Sequence, residues 1–336
     1  MKKISSLLLT FLFILQFQSL SAQKITGVGP IAITVSDMTR SLDFYTNVLP
    51  FKKISDEEVY GEPYEKLENL FGLRMRIVKL KLGEEEIELV DYLTAGGRSI
   101  PDDARSNDLI FQHIAIVVSN MDKAYLELRK HNIVHVSTGP QTLPASIPEA
   151  AGVKAFYFQD PDKHNLELIF FPKGKGQEKW QHANGEIFLG IDHTAFGVSN
   201  TENSLKFYHD LLGIERKGDS HNKGIEQEHL NNVEGASLHI TGLRTTVGPG
   251  LEFLQYLIPG AGKPYPTDTR SDDTWQWQTT LITDNAAALY DKIKALGIYQ
   301  LVSKNLVELT AKDGRHNKAF IVRDGDGHAM LIMEKD

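Results

Sequence analysis

The sequence predicts an α+β protein built from four βαβββ modules, and three observations lead to that class. First, one stretch occurs twice: Ser41-Leu42-Asp43-Phe44-Tyr45 returns as Ser204-Leu205-Lys206-Phe207-Tyr208, and Arg105-Ser106-Asn107-Asp108 returns as Arg270-Ser271-Asp272-Asp273. The offsets are 163 and 165 residues, and a repeat this long is a duplicated domain. Second, each half divides again, since a short β-type run followed by a polar turn and a helical pattern occurs twice in it. Third, 41% of the residues are hydrophobic, which supports two ordinary cores, and no low-complexity tract interrupts them.

The elements follow in chain order. Residues 1–22 read as an export signal: Lys2 and Lys3 precede an apolar run over 7–17, and small residues stand at Ser19, Ser21 and Ala22. That run is shorter than the roughly 20 apolar residues a permanent span requires. Cleavage after Ala22 would leave 314 of the 336 residues and place the protein in the periplasm or outside the cell. First strands are expected at 31–35, 113–118, 193–198 and 278–283. Helices with apolar residues three and four apart are expected at 38–49, 122–131, 201–212 and 285–296. Further strands, among them 75–80, 87–92, 155–158, 166–171, 251–257, 319–322 and 329–333, complete the modules. Asp160-Pro161-Asp162 and Asp324-Gly325-Asp326-Gly327 mark tight turns before a last strand, without the spacing of an EF-hand. Residues 23–172 and 188–336 are then two domains, joined by a linker at 173–187 rich in Lys, Gly and Gln.

Composition excludes several classes of chemistry. The chain has no Cys, so disulfides, thiolate metal sites and Cys nucleophiles are ruled out. Loss of Lys2 and Lys3 with the signal takes the formal charge from −8 to −10, and no basic cluster remains. Nucleic acid is therefore not an expected partner, and no stable membrane anchor is expected once the signal is cleaved. The expected partner is a small-molecule substrate or ligand, and a monomer is compatible with the sequence.

A four-strand sheet of this kind has a concave apolar face that one module cannot cover, so modules must pair around a crevice. Aligning the four first strands places Pro30, His113, His193 and Gln278 at one position. Aligning the four last strands places Glu88, Glu167, Glu252 and Leu331 at another. An ionised Glu on an apolar strand face is costly without a metal or hydrogen-bonding partner. Imidazole and carboxylate are suitable ligands for Zn, Fe, Mn, Co or Ni.

With these residues in place, the chain resembles the vicinal oxygen chelate superfamily of glyoxalase I, extradiol dioxygenases and bleomycin-resistance proteins. The resemblance implies two paired glyoxalase-like domains and one divalent metal held by first-strand His and last-strand Glu positions. Pairing within each half would leave two incomplete sets. Pairing the inner two and the outer two modules, as in fused four-module glyoxalases, gathers His113, Glu167, His193 and Glu252 as metal ligands. It leaves Pro30, Glu88, Gln278 and Leu331 in a dismantled outer crevice.

By motif position Glu167 would be the catalytic base, and Glu252 the facing ligand that could share the role. The resemblance thus implies an exported metal-dependent enzyme of glyoxalase-like lyase or isomerase type, acting on a small oxygen-rich molecule. The alternatives are an extradiol-type dioxygenase and a non-catalytic ligand-binding protein. A dioxygenase site confined to the last two modules would need His193 together with ligands where Gln278 and Leu331 stand, and a purely structural envelope protein is disfavoured by the paired His/Glu strands.

Other residues take plainer readings. Glu88 follows Glu84-Glu85-Glu86 and reads as structural; an Arg near Glu252 could hold it instead of a metal. His164 and His328, in Asp-rich turns, are expected at the surface, as are Arg74, Arg76, Lys79 and Arg244. Trp275, Trp277, Phe156 and Phe158 are expected in the core. Gly260 to Lys263 lacks the spacing of a phosphate loop.

Overall fold

The first helix of every module starts the same way, at an Asx residue. Asp37, Asn120, Asn200 and Asn285 each accept a hydrogen bond from the amide three residues on, at 2.9–3.0 Å, satisfying a donor the first turn leaves unpaired. In the computed structural model, which describes residues 24–94, 96–310 and 314–334, these helices are α1 (Met38–Asp43), α3 (Met121–Arg129), α4 (Thr201–Leu205) and α6 (Ala286–Leu296). The proposed export signal, residues 1–22, lies outside the described residues. α1 and α4 continue into π-helical turns at Phe44–Val48 and Lys206–Leu211, over the duplicated Phe-Tyr pair. That local widening buries Tyr45 and Tyr208 completely.

The first module contains β1 (Ile25–Val35), β2 (Lys52–Tyr60), β3 (Arg74–Leu82) and β4 (Glu85–Tyr92). The second contains β5 (Gln112–Val118), the two-residue strands β6 (Val134–His135) and β7 (Gln141–Thr142), β8 (Lys154–Gln159) and β9 (Asn165–Phe170). The third has β10 (Phe188–Gly197), β11 (Glu215–Lys223), β12 (Ser237–Arg244) and β13 (Gly250–Ile258). The fourth has β14 (Trp277–Thr283), β15 (Gln300–Leu301), β16 (Val307–Thr310), β17 (His316–Arg323) and β18 (Ala329–Glu334). The α+β class is as expected, and strands and helices alternate as the modules require.

The described residues form two nine-stranded sheets, and their order settles which modules pair. One sheet runs β15-β17-β18-β14-β1-β4-β3-β2 with β16 on β17; the other runs β11-β12-β13-β10-β5-β9-β8-β6 with β7 on β8. The outer modules share the first and the inner modules the second, joined through antiparallel β1/β14 and β10/β5. The register is the same in all four. Glu88, Glu167, Glu252 and Leu331 stand opposite Ala32, Ala115, Ala195 and Thr280, each two residues beyond the aligned first-strand position. Side chains two apart on a strand share a face, so each module directs its pair to one side of its sheet.

Two helices were not legible in the sequence. α2 (Glu62–Glu68) and α5 (Ile225–Asn231) follow Gly61 and Gly224, at φ 95° and 100°, and end on left-handed Asn69 and Asn232. They decide what becomes of each crevice. In the outer one Leu67 of α2 packs on Val307, Ala319, Ile321, Ala329 and Leu331. Its neighbour Glu68 accepts from Gln278 Nε2 at 2.7 Å and from the Tyr92 hydroxyl at 3.3 Å. Glu88 lies 3.3 Å from Lys79 Nζ, an ordinary ion pair. The outer crevice is therefore plugged by side chains.

The surface placement expected for two histidines is overturned. His164 and His328 are buried, at 1% and 0% exposure, not at the surface. His164 Nδ1 lies 2.8 Å from Asp160 Oδ2 and its Nε2 2.7 Å from Thr274 O, while Tyr45 donates to Asp160 at 3.1 Å. His328 repeats this with Asp324, Leu109 O and Tyr208. The Asp-rich turns are interior joints, because each His reaches a carbonyl in the turn that leads into a central strand of the other sheet. Arg74 and Arg76 pair with Glu58 and Asp56, and Phe156, Phe158, Trp275 and Trp277 are buried as expected.

Candidate metal centre

All seven residues of β5 are buried, because the strand lies at the centre of its sheet and is covered on both faces. This places His113 fully out of water. β10 brings His193 beside it, with ring centroids 5.7 Å apart, and β9 supplies Glu167. One Glu167 oxygen, Oε2, lies 3.1 Å from His113 Nε2 and 3.7 Å from His193 Nε2. The three residues offer ligand atoms all within 4.8 Å of one another. Glu252 stands at the rim, with 26% of its side chain exposed, and its Oε1 is 3.5 Å from His193 Nε2. The four residues singled out in the sequence thus share one crevice, three of them tightly. The last-two-module alternative fails geometrically, since His193 and Gln278 belong to different sheets.

The donor set fits a divalent ion. Both ring nitrogens of His113 and Nε2 of His193 are buried without a hydrogen-bond partner among the described residues. The short approach to Glu167 does not have hydrogen-bond geometry. Unpaired buried polar atoms are costly, and such groups are rare unless something binds them. Ligand bonds of about 2.1 Å around a tetrahedral ion put donors about 3.4 Å apart, in line with the 3.1–3.7 Å separations seen here.

A support layer that the sequence reading missed holds His193. The Asp192 carboxylate lies 3.0 Å from His193 Nδ1, so the Nδ1 proton is held there and Nε2 faces the crevice. Asp192 in turn accepts from Trp180 Nε1 at 2.6 Å, Gln177 Nε2 at 3.0 Å and Arg244 Nη2 at 2.6 Å. Trp180 and Gln177 come from the segment read as a linker, and Arg244, expected at the surface, serves Asp192 and not Glu252. The one signal in the sequence was the acid directly before His193. Replacing Asp192 by Asn is expected to weaken metal affinity by about 10- to 100-fold, measured by competition with a chromogenic chelator. A change below about twofold would show that the contact does not orient the ring.

Electrostatics follow from this crowding. Burial disfavours charge on His193, but the carboxylates of Glu252, Asp192 and Glu167 outweigh it and push the imidazole up to about 9. Burial alone would raise Asp192; His193, Arg244 and Gln177 instead hold it well below the usual carboxylate range. Removal from bulk water pushes Glu252 up, with Glu167 adding to the shift and the two histidines opposing it. Beside these groups lies a cavity of about 390 Å³. Its walls include the apolar side chains of Leu143, Val153, Ile169, Leu230 and Ile240, with Tyr157 facing Glu167 across β8 and β9.

Fold and site together define a tandem protein of paired βαβββ modules with a His/Glu crevice between the inner two. The family model of the Glyoxalase/Bleomycin resistance protein/Dioxygenase superfamily matches residues 27–168 and 190–332, and the chain belongs to that family. Glyoxalase I from Zea mays is similar over 93% of this chain and 92% of its own, with a TM-score of 0.55 and 15% identity. A point mutant of that enzyme has a TM-score of 0.59 at 16% identity, over 93% and 92% of the two chains. A putative dioxygenase from Bacillus subtilis covers 93% of this chain and 86% of its own, with a TM-score of 0.54 and 14% identity. At these identities the likeness shows the fold alone. No curated protein sequence matches the chain.

Proposed function

We propose that the protein is an exported enzyme that holds one divalent metal at His113, Glu167 and His193, with Glu252 completing the set, and isomerises or cleaves a small oxygen-rich substrate. The carrying observation is the convergence of the buried Nε2 atoms of His113 and His193, neither hydrogen-bonded among the described residues, on the Glu167 carboxylate beside a cavity. A divalent metal bound there would polarise vicinal oxygens of the substrate and lower the cost of negative charge on them. The apolar wall takes the carbon skeleton and excludes water from it. Glu252, partly exposed and outside the tight group, moves a proton between neighbouring substrate atoms. Glu167, between the two histidines, is the carboxylate of the tight ligand group.

One observation favours a second reading. The tight group is two His and one carboxylate, the ligand set of non-haem Fe(II) oxygenases, with Glu252 outside it. A single experiment separates the readings. Protein reconstituted with Zn, Ni, Mn, Co or Fe(II) is offered α-hydroxycarbonyl compounds in D2O and catechols in an oxygen electrode. Metal-dependent deuterium uptake at the substrate carbon without oxygen consumption is the expected result. Oxygen consumption with Fe(II) alone would establish the dioxygenase, and neither response would leave a ligand-binding protein.

A further inference from the structure

The duplication exposes a second site, away from the metal centre. In the second half Arg270 forms a bidentate pair with Asp272, Nε to Oδ1 at 2.9 Å and Nη2 to Oδ2 at 2.6 Å. The first half keeps the same loop, since Asp108 caps the amide of Arg105 as Asp273 caps that of Arg270, each at 2.8 Å. The partner, however, is now Asn107, whose amide donates to Gly260 O at 3.1 Å. Arg105 makes no ion pair among the described residues, and its exposed side chain stands at a cavity of about 650 Å³. No residue lines both this cavity and the one at the metal centre.

The cavity carries independent marks of a ligand site. Gln112 lines it and is only 1% exposed, yet neither of its amide atoms has a hydrogen-bond partner among the described residues. Native proteins rarely leave buried amides unpaired. Phe111, Trp275 and Trp277 give it aromatic walls. The other wall cations are taken, Lys163 by Asp102 and His164 by Asp160, and the remaining acid is the exposed Glu234.

We infer that this cavity binds a small aromatic carboxylic acid, with Arg105 gripping the ligand carboxylate as Arg270 grips Asp272. A planar guanidinium fork suits a carboxylate held bidentately, and aromatic walls suit a ring. The amide floor supplies donors and acceptors without adding charge.

Benzoate is the probe, and tryptophan fluorescence the readout, because two of the three tryptophans line the cavity. Saturable quenching is expected for the wild-type protein, with affinity at least about tenfold lower in Arg105→Ala, where a charge-assisted pair is lost. Asn107→Asp restores the carboxylate of the second half and should weaken benzoate as much, without removing Arg105. Benzamide, which lacks the charge, should bind at least about tenfold more weakly, and His113→Ala should bind benzoate normally. No saturable response in the wild type would overturn the site, as would undiminished affinity in Arg105→Ala or Asn107→Asp, equal binding of benzamide, or loss of binding in His113→Ala.

Discussion

Replacing His328 by leucine is expected to destabilise the protein by about 3–5 kcal/mol, the usual cost of leaving one member of a buried ion pair uncompensated. Its Nδ1 lies 3.0 Å from Asp324 Oδ2 and its Nε2 3.0 Å from Leu109 O. Both nitrogens face acceptors, so both donate and the ring is an imidazolium. Burial opposes that charge, but Asp324 overcomes the penalty and raises the pKa. A raised folded pKa means stabilisation that is whole below the ordinary His value of about 6.5 and lost as pH climbs through the folded value. Burial likewise resists the charge on Asp324, yet His328 and its own amide keep that carboxyl low, so its share persists well into acid. Urea unfolding should therefore show the gap between wild type and His328→Leu widest near about pH 6 and narrowing as the pH is raised above the ordinary His value. Equal stability at the lower pH, or a gap that widens with alkali, would contradict the buried pair. His164 is built alike and its pKa is raised for the same reasons, burial opposing and Asp160 prevailing.

The second large effect concerns chemistry. Glu252→Gln is expected to lower kcat by about 10²- to 10⁴-fold, the range for loss of a general acid-base group, while the bound metal stays in place. Retention follows from geometry, since His113, Glu167 and His193 form the tight group without Glu252. Glu167→Gln, by contrast, should lose the metal, because one of its oxygens approaches both histidines. Steady-state rates measured alongside metal content distinguish the two. Metal loss in Glu252→Gln as severe as in Glu167→Gln would make Glu252 a simple ligand.

Much of this was legible because the chain carries its own comparison. Four copies of a strand position isolate His113 and His193, four copies of another isolate Glu167 and Glu252, and the shared register explains why one alignment serves every module. Other features left weaker marks. α2 and α5 have seven residues each, too few for helical periodicity, and their signal was a Gly before and an Asn after. His164 and His328 were misread because Asp-rich turns resemble surface loops; only the opposite sheet, far away in sequence, buries them. Trp180 and Gln177 sit in a polar stretch that reads as a tether, yet they hold Asp192 behind the site. Contacts made across modules have no period and no spacing, so composition alone does not reveal them.

The most direct test is elemental mass spectrometry on the purified protein, without a chelating tag, for wild type, His113→Ala and Glu88→Ala. A single inner centre predicts about one divalent metal per chain in the wild type. That metal should be lost in His113→Ala and kept in Glu88→Ala, whose side chain pairs with Lys79 in the plugged outer crevice. A wild-type chain that takes up no metal after reconstitution, or equal metal in His113→Ala, would contradict the centre.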